Sequence, residues 1–303
     1  MLDALESDPT FHVVSCDPPD LGGVGLLARI ETFDAVVVFM KYADLVAAPA
    51  IEWHGYEGLR VMLEHDAWFN YAAVAPALTG TFPGTFSRHG FDLLVSSGRE
   101  VTRLLNDAGT RAAWVPKGYD ERVFYDLGGA RAGLCTFGSG YPARQALVRN
   151  LARGPIPISQ VAAPYSGLGV ELNKYLGCIV CNMDGTYPRG LPGKIIRRLA
   201  PGVAVRVRPG LEPMLKNFEA AAAGCAVFAD AIPELEALGF VDGKTVVLYR
   251  SFEELVERAT VLLDQPEALR AIGAEASKLC AERHTWSHRV PQLAAVIEAT
   301  LRS

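Results

Sequence analysis

Short runs rich in valine, isoleucine and leucine recur along the chain, each followed by a helix-like segment. The first five candidate strands are FHVVSC (11–16), DAVVVF (34–39), LRVMLE (59–64), DLLVSS (92–97) and AAWVPK (112–117). Five more follow, namely AGLCTFG (132–138), IPISQVA (156–162), GCIVCN (177–182), CAVFAD (225–230) and TVVLYR (245–250). Continuous apolar strands that alternate with helices are typical of parallel sheets covered on both faces. The pattern predicts an α/β fold with two doubly wound, Rossmann-like domains.

The length of 303 residues also favours two domains. An irregular, glycine-containing passage, PKGYDERVFYDLGGARAG (116–133), separates the two series of strands. We therefore predict a first domain over 1–125 and a second over 126–286. The remaining segment, 287–303, is predicted to form a helix that packs back on the first domain.

The N-terminal segment departs from the usual start of a nucleotide-binding domain, which is a strand, a glycine-rich turn and a helix. Met1–Ser7 looks like the end of a helix that leads into FHVVSC. Two interpretations stay open. Either the first strand is absent and the domain is shortened, or FHVVSC is that strand and LGGVG (21–25) is its turn. LGGVG lacks the spacing of the dinucleotide fingerprint, so a nicotinamide or flavin cofactor is not expected.

Composition excludes several classes of protein. The net charge of −5 gives no general attraction to nucleic acid or to an anionic membrane. No apolar stretch is long enough to span a bilayer, and the acidic N-terminal segment lacks the pattern of a signal peptide. These features predict a cytoplasmic protein.

Two pairs of potential metal ligands stand close together in the sequence. Cys178 and Cys181 lie in a strand-like run, where residues three apart point to opposite faces. His284 and His288 have the helical spacing of a metal pair, but no third ligand is evident. We expect structural roles for these residues and no metal site.

The segment PGLEPMLKNFEAAAAGCAVFAD (209–230) predicts a helix from Pro213 to Ala223, a break at Gly224 and a buried strand. A helix N-terminus at the carboxyl edge of a parallel sheet favours phosphate, through its N–H groups and its dipole. Glu219 lies about two turns in, on an apolar face, where a carboxylate is costly unless it accepts hydrogen bonds. Glu219 is therefore either a ligand for the ribose hydroxyls of a nucleotide or a surface glutamate on a core helix.

Residues 218–289 resemble the C-terminal domain of retaining group 1 glycosyltransferases of the GT-B fold, in the CgeB-like (spore-maturation) branch. The resemblance rests on FEAAAAGCAVFAD (218–230), DGK (242–244), PEALRAI (266–272) and HTWSHR (284–289). VPKGYDERVF (115–124) and CTFGSGYPARQALVRNL (135–151) add similarity upstream. The family implies transfer of a sugar from a nucleotide-diphosphate sugar to a hydroxyl group, with retention of configuration and without a metal or other cofactor.

The resemblance also implies roles for individual donor-side residues. Glu219 matches the glutamate expected to hold the donor ribose. A second family glutamate, expected at the donor sugar, should stand at Leu211, so Glu212 matches it only out of register. The other candidate nucleotide-binding residues are Gly138, Ser139 and Arg144 at the phosphates, Pro164 and Tyr165 at the nucleobase, and Met214, Leu215 and Lys216 at the diphosphate helix.

LRVMLEHDAWF (59–69) resembles the family's strand that ends in His-Asp and faces the cleft. His65 and Asp66 follow a predicted strand, where ligands bind in open α/β sheets. We interpret them as the catalytic pair, with His65 touching the donor sugar or acceptor and Asp66 orienting the sugar or the acceptor hydroxyl. The alternative is a satisfied loop histidine and a helix-capping aspartate.

A basic stretch, residues 185–211, contains no acidic residue before Glu212. Three interpretations stay open: a solvated helix face, help in binding the donor diphosphate, or an edge for an anionic acceptor such as nucleic acid. Its basic residues are Arg189, Lys194, Arg197, Arg198, Arg206 and Arg208.

Two other functions suit the predicted architecture. One is a sugar-nucleotide epimerase or phosphorylase on the same fold. The other is a catalytically inactive GT-B subunit that only binds its ligand. The sequence does not identify the acceptor, for which a modified nucleic-acid base is one candidate.

Overall fold

The computed structural model describes residues 1–15, 17–25, 33–72, 75–138, 142–152, 154, 156–186, 206–208 and 210–303. They form two compact units, one made of Met1–Lys117 with Ser287–Ser303 and the other of Gly118–Trp286. The N-terminal part of the first unit extends to Lys117, whereas the sequence predicts a boundary after residue 125. Each unit is built around a parallel sheet, which confirms the predicted α/β class with Rossmann-like domains.

The first unit contains a four-stranded sheet of order β1-β2-β3-β4 in which all neighbours are parallel. Its strands are β1 (Ala35–Phe39), β2 (Leu59–Glu64), β3 (Leu93–Ser96) and β4 (Ala112–Trp114). Its helices are α1 (Leu2–Glu6), α2 (Tyr42–Ala47), α3 (Phe82–His89) and α4 (Arg99–Asp107), with short 3-10 helices at Pro18–Gly23 and Ala67–Asn70. Among the described strands of this unit, the order follows the chain in one direction and shows no reversal.

The predicted strand FHVVSC is wrong for the residues that the structure describes. Residues 11–15 form no strand, and Cys16 lies outside the described residues. Phe11 and Val13 pack against the core of the first unit without pairing in its sheet. The following prolines favour the 3-10 helix Pro18–Gly23, because proline lacks the N–H group that a strand ladder needs. LGGVG is therefore not the glycine turn of a first strand.

The second unit contains a five-stranded parallel sheet of order β11-β10-β7-β5-β6 and a separate antiparallel pair, β8-β9. Its strands are β5 (Leu134–Phe137), β6 (Ile158–Val161), β7 (Gly177–Val180), β8 (Asp184–Thr186), β9 (Arg206–Arg208), β10 (Ala226–Asp230) and β11 (Val247–Tyr249). Its helices are α5 (Pro142–Ala152), α6 (Tyr165–Leu172), α7 (Leu215–Ala222), α8 (Pro233–Ala237), α9 (Phe252–Leu263) and α10 (Pro266–Arg283).

The last helix, α11 (Trp286–Leu301), begins earlier than the sequence predicts. Val290, Leu293 and Ile297 are buried together with Val61 and Leu63 of β2 in the core of the first unit. Helix α11 thus packs on the sheet of the first unit, as predicted for residues 287–303. None of the helices in the described ranges combines the length and the apolar character that crossing a membrane requires.

Helix α6 packs against the backbone of residues 123–124 at Gly169, where a Cβ atom would lie 1.9 Å from the carbonyl oxygen of Val123. We expect Gly169→Ala to destabilise the protein by about 1–3 kcal/mol, because a backbone carbonyl cannot move aside as a side chain can. Gly167→Ala is the matched control in the same helix, since its Cβ would meet nothing within 4 Å. That change should stabilise the helix by about 0.5–1 kcal/mol. Urea unfolding of both variants measures the difference, and equal effects would contradict the close approach.

Candidate functional site

The strand order of the second sheet reverses beside β5. This strand pairs with β6 on one side and with β7 on the other, so the chain leaves the carboxyl ends of β5 and β7 in opposite directions. In open α/β sheets, ligands bind at such a reversal. Gly138 directly follows β5, and Asn182 lies just after β7. These two loops are therefore the expected place for a ligand site.

Two cationic side chains approach the backbone at Gly138. A Cβ atom at this position would lie 2.0 Å from Cε and 2.8 Å from Nζ of Lys216, and 3.3 Å from Nη1 of Arg144. Gly138 also has a φ of +87°, which glycine adopts without strain. Burial lowers the pKa of the Arg144 guanidinium, but arginine stays charged in proteins. The three residues form a small cationic turn suited to a phosphate group.

Helix α7 begins beside this turn, with Met214 as its N-cap residue. Met214 makes no side-chain capping bond, and its own N–H donates to Asn182 Oδ1 at 2.9 Å. No acceptor among the described residues takes the next N–H, that of Leu215. An N–H group at the positive end of a helix dipole adds to the attraction for an anion.

Glu219 lies inside α7 and is only 4% exposed, so the alternative of a surface glutamate is wrong. No group in the described part of the chain donates a hydrogen bond to its carboxylate. Burial raises the pKa of Glu219 to about 7, and the positive charge of Lys216 acts in the opposite direction. A buried carboxylate is costly without hydrogen-bond donors, so Glu219 is a candidate for binding a ligand with hydroxyl groups.

Pro164 and Tyr165 form the start of α6, which follows β6. Tyr165 is half exposed, and its ring contacts Phe124 edge-on with the centroids 5.4 Å apart. Burial raises the pKa of the Tyr165 hydroxyl, and the charge of Glu219 adds to that rise. Tyr165 and Glu219 therefore lie close enough to interact electrostatically.

The other donor-side candidates fall into three groups. Glu212 is buried, with 1% of its surface exposed, although it is out of register with the family's glutamate. Arg206 and Arg208 lie on β9, but their side chains fall outside the description. The remaining candidates, which lie outside the described residues, are Ser139, Arg189, Lys194, Arg197 and Arg198.

In the first unit, His65 and Asp66 follow β2 at the carboxyl edge of its sheet. The His65 ring is half-buried and lies 5.0 Å from the ring of Phe39, the last residue of the neighbouring strand β1. Ser97 Oγ donates to the His65 carbonyl at 2.8 Å, which joins the ends of β2 and β3. Burial lowers the pKa of His65 to about 3, and the charge of Lys117 lowers it further. His65 is therefore neutral at physiological pH.

Lys117 is a residue that the sequence reasoning missed. It follows β4 at the same edge of the sheet, is 5% exposed, and its Nζ lies 3.8 Å from Asp66 Oδ1. Asp66 does not cap its helix with its side chain, although Trp68 Nε1 donates to its Oδ1 at 3.3 Å. The only available signal was a lysine directly after an apolar strand, in VPKGYD (115–120).

His284 is held by contacts within the second unit. His284 Nε2 lies 2.9 Å from the Leu238 carbonyl oxygen, and its ring stacks on Phe240. The described residues contain no group of three or more histidine, cysteine, aspartate or glutamate side chains placed to hold a metal ion.

Comparison with known families decides what kind of protein carries this site. A family model described as "Glycosyl transferase-like" matches residues 129–295, more than half of the chain. The chain belongs to this glycosyl transferase-like family. The matched span contains Gly138, Arg144, Lys216 and Glu219, whereas His65 and Asp66 precede it. No curated protein sequence matches this glycosyltransferase at a significant level.

Solved structures share the fold of this glycosyltransferase. Sucrose-phosphate synthase from Thermosynechococcus elongatus has a TM-score of 0.64 at 12% identity, covering 98% of this chain and 82% of its own. Anabaena HepE in complex with UDP has a TM-score of 0.58 at 16% identity, covering 93% and 82%. The pneumococcal O-GlcNAc transferase GtfA in complex with UDP and GlcNAc has a TM-score of 0.51 at 10% identity, covering 94% and 61%.

These likenesses establish the GT-B fold, and with the family match they identify an enzyme of the glycosyltransferase class. Neither comparison distinguishes the CgeB-like branch of the glycosyltransferases, which stays a prediction.

Proposed function

We propose that this glycosyltransferase moves a sugar from a nucleoside-diphosphate sugar to a hydroxyl acceptor, and that its second unit holds the donor. The observation that carries the proposal is the meeting of a glycine turn, two cations and a buried carboxylate at one strand-order reversal. These groups are Gly138, Lys216, Arg144 and Glu219. The fold neighbour HepE has been solved with UDP-glucose, UDP and glucose, which supports a donor of the same chemical class.

The donor diphosphate would lie against Gly138, with Lys216 and Arg144 as its counter-charges and the N–H groups of Met214 and Leu215 at the start of α7. Glu219 stands four residues beyond Leu215, which is about 6 Å along the helix axis. That separation suits a ribose next to the diphosphate. Its two hydroxyls would donate to the Glu219 carboxylate, which lacks such donors among the described residues.

The nucleobase would lie at the start of α6, where Pro164 and the half-exposed Tyr165 ring present an apolar edge. Glu212 stands on the chain just before α7 and would face the donor sugar. Ser139, from the resemblance, and Arg206 and Arg208, from their charge, are proposed as further residues that bind the diphosphate.

The reaction breaks the bond between the sugar's anomeric carbon and the diphosphate oxygen and forms a bond from that carbon to the acceptor oxygen. The diphosphate leaves with the bonding electrons, and the proton of the acceptor hydroxyl passes to the departing diphosphate oxygen. Lys216, Arg144 and the α7 dipole are placed to stabilise that developing negative charge. Such preorganised charges make a metal-independent reaction chemically reasonable, and we propose retention of configuration from the resemblance to retaining enzymes.

His65 and Asp66 are proposed as the catalytic residues of the first unit. A neutral imidazole can donate or accept a hydrogen bond from a sugar hydroxyl, and burial keeps His65 neutral. Lys117 holds the Asp66 carboxylate from the buried side. Asp66, half exposed, would orient the hydroxyl that attacks.

Nucleoside diphosphates should bind and stabilise the protein, and UDP is the first probe. At a concentration of 100 times its Kd, the ligand should raise the free energy of unfolding by about 2.7 kcal/mol. A thermal-shift series with UDP, GDP, ADP and the free nucleosides measures this, and UDP-glucose tests whether UDP is released on turnover. The proposal fails if none of the diphosphates raises the melting temperature more than its nucleoside does.

A further inference from the structure

Three buried polar side chains lie behind the start of α7. Asn182 follows β7, Asp230 is the last residue of β10, and Asn217 lies in the first turn of α7. All three are at most 2% exposed. A polar cluster of this kind, next to an apolar sheet, costs stability unless its hydrogen bonds are made.

The hydrogen bonds of Asn182 tie the helix to the sheet. Its Oδ1 accepts from the backbone N–H of Met214 at 2.9 Å and from Asn217 Nδ2 at 2.7 Å. Asn217 Nδ2 also donates to the Met214 carbonyl at 2.9 Å. Because Met214 has no side-chain cap of its own, the first turn of α7 takes its position from the end of β7.

Asn182 is itself held from two directions. Its backbone N–H donates to Asp230 Oδ1 at the end of the neighbouring strand. Gly210 packs against its carbonyl, since a Cβ at Gly210 would lie 2.3 Å from the Asn182 oxygen. Asn182 is therefore held in place by the end of β10 and by the chain at Gly210. Because α7 is hydrogen-bonded to Asn182, the same contacts fix the start of that helix.

The cluster is not built for stability alone. Asn182 Nδ2, Asn217 Oδ1 and Asp230 Oδ2 make no hydrogen bond within the described part of the chain. Unsatisfied buried polar atoms reduce stability, and an apolar cluster of the same shape would avoid that loss. What the polar cluster does provide is a defined place for the first turn of α7, from which Lys216 reaches Gly138.

We propose that Asn182 is a positioning residue for the donor diphosphate. It fixes the N-terminus of α7, and with it Lys216, next to the Gly138 turn. The inference rests on the proposed function, in which this turn binds the diphosphate. If Asn182 were only a structural cap, its removal would lower stability and weaken the binding of every ligand by the same factor. A positioning residue would affect the diphosphate and leave the nucleoside part unchanged.

The test uses the full chain, UDP and uridine as calorimetric probes, and Asn182→Leu, which removes the acceptor at similar volume. We expect UDP to bind about tenfold more weakly, equivalent to about 1.4 kcal/mol, while the Kd of uridine changes by less than about twofold. Asn182→Asp keeps the oxygen that accepts from Met214 and Asn217 and should keep the first turn of α7 in place, although its negative charge opposes the diphosphate. Thr136→Val is the matched control, because Thr136 is buried in the same sheet and its hydroxyl donates only to the Ile179 carbonyl.

Hydrogen exchange of the segment 211–223 gives a readout that needs no ligand. Faster exchange there in Asn182→Leu than in Thr136→Val supports the positioning of α7, even if the parent protein binds no UDP and the proposed function fails. Unchanged exchange, or equal losses for UDP and uridine, overturns the inference while leaving the proposed function intact. If Asn182→Leu does not fold, Asn182→Ser replaces it, since serine is too short to reach the Met214 nitrogen.

Discussion

Glu219→Gln should be more stable than the parent protein at pH 8 and should bind UDP much more weakly. Both effects follow from a carboxylate that is buried and has no hydrogen-bond donor among the described residues. The amide has nearly the same shape and carries no charge, so it removes the burial cost. It also removes a charge-assisted acceptor, which contributes about 1.5–3 kcal/mol to a hydrogen bond. We therefore expect UDP to bind roughly 10- to 150-fold more weakly.

The stability difference has a defined pH dependence. Burial raises the pKa of Glu219 from 4.5 to about 7. Between these values the folded protein keeps a proton that the unfolded chain has released, so this glutamate makes stability fall as the pH rises. Glu219→Gln should thus equal the parent near pH 4 and exceed it at pH 8 by at most about 3 kcal/mol. Burial also raises the pKa of Asp230 to about 7. Asp230 is present in both proteins, so its contribution cancels in the stability difference between them.

Urea unfolding at pH 4 and pH 8 measures the stability, and calorimetry measures UDP binding. Glu257→Gln, on the exposed face of α9, controls for the loss of one negative charge. A UDP analogue without the 2′ and 3′ hydroxyls sharpens the assignment: it should bind the parent and Glu219→Gln equally. If the variant weakens UDP and the analogue by the same factor, Glu219 does not bind the ribose.

The central strands β3, β5, β7 and β10 were predictable because they are buried along their whole length and read as continuous apolar runs. LRVMLE (59–64) coincides with β2, and the continuous apolar runs of the second series all contain strands. FHVVSC has the same composition but forms no strand in its described residues. Composition reports that a segment will be buried, whereas strand pairing depends on which neighbours the chain brings alongside. Phe11 and Val13 pack against the core of the first unit, but they do not pair with a strand.

The site could be predicted where its signals are local. Glu219 stood out as a charge on an apolar helix face, and the resemblance of CTFGSGYPARQALVRNL (135–151) to the family pointed to Gly138. Lys117, Asn182 and Asp230 were missed because their roles come from contacts between distant segments. Each is nevertheless a polar residue at or just after the end of an apolar run, at the edge where parallel sheets bind ligands. That position is a signal that sequence reasoning can use.

Lys216→Met should weaken UDP binding by about 10- to 100-fold, because it removes one of two cations at the Gly138 turn and charged hydrogen bonds contribute about 1.5–3 kcal/mol. Methionine preserves the apolar stem that packs beside Gly138. The salt dependence of UDP binding should also fall. Lys278→Met, on the exposed face of α10, is the matched control and should leave both quantities unchanged. Lys216→Arg keeps the charge and should retain part of the affinity.

The same substitution should move the pH profile, because the charge of Lys216 lowers the pKa of Glu219. Without that charge, the Glu219 pKa rises above about 7. If ribose binding needs the ionised carboxylate, UDP affinity should increase with pH in both proteins, with a higher midpoint in Lys216→Met. Calorimetric titrations from pH 5.5 to pH 9 would locate the two midpoints. A weaker UDP affinity with an unchanged midpoint would place Lys216 at the phosphates but separate it from Glu219, and the donor would then not span both residues as proposed.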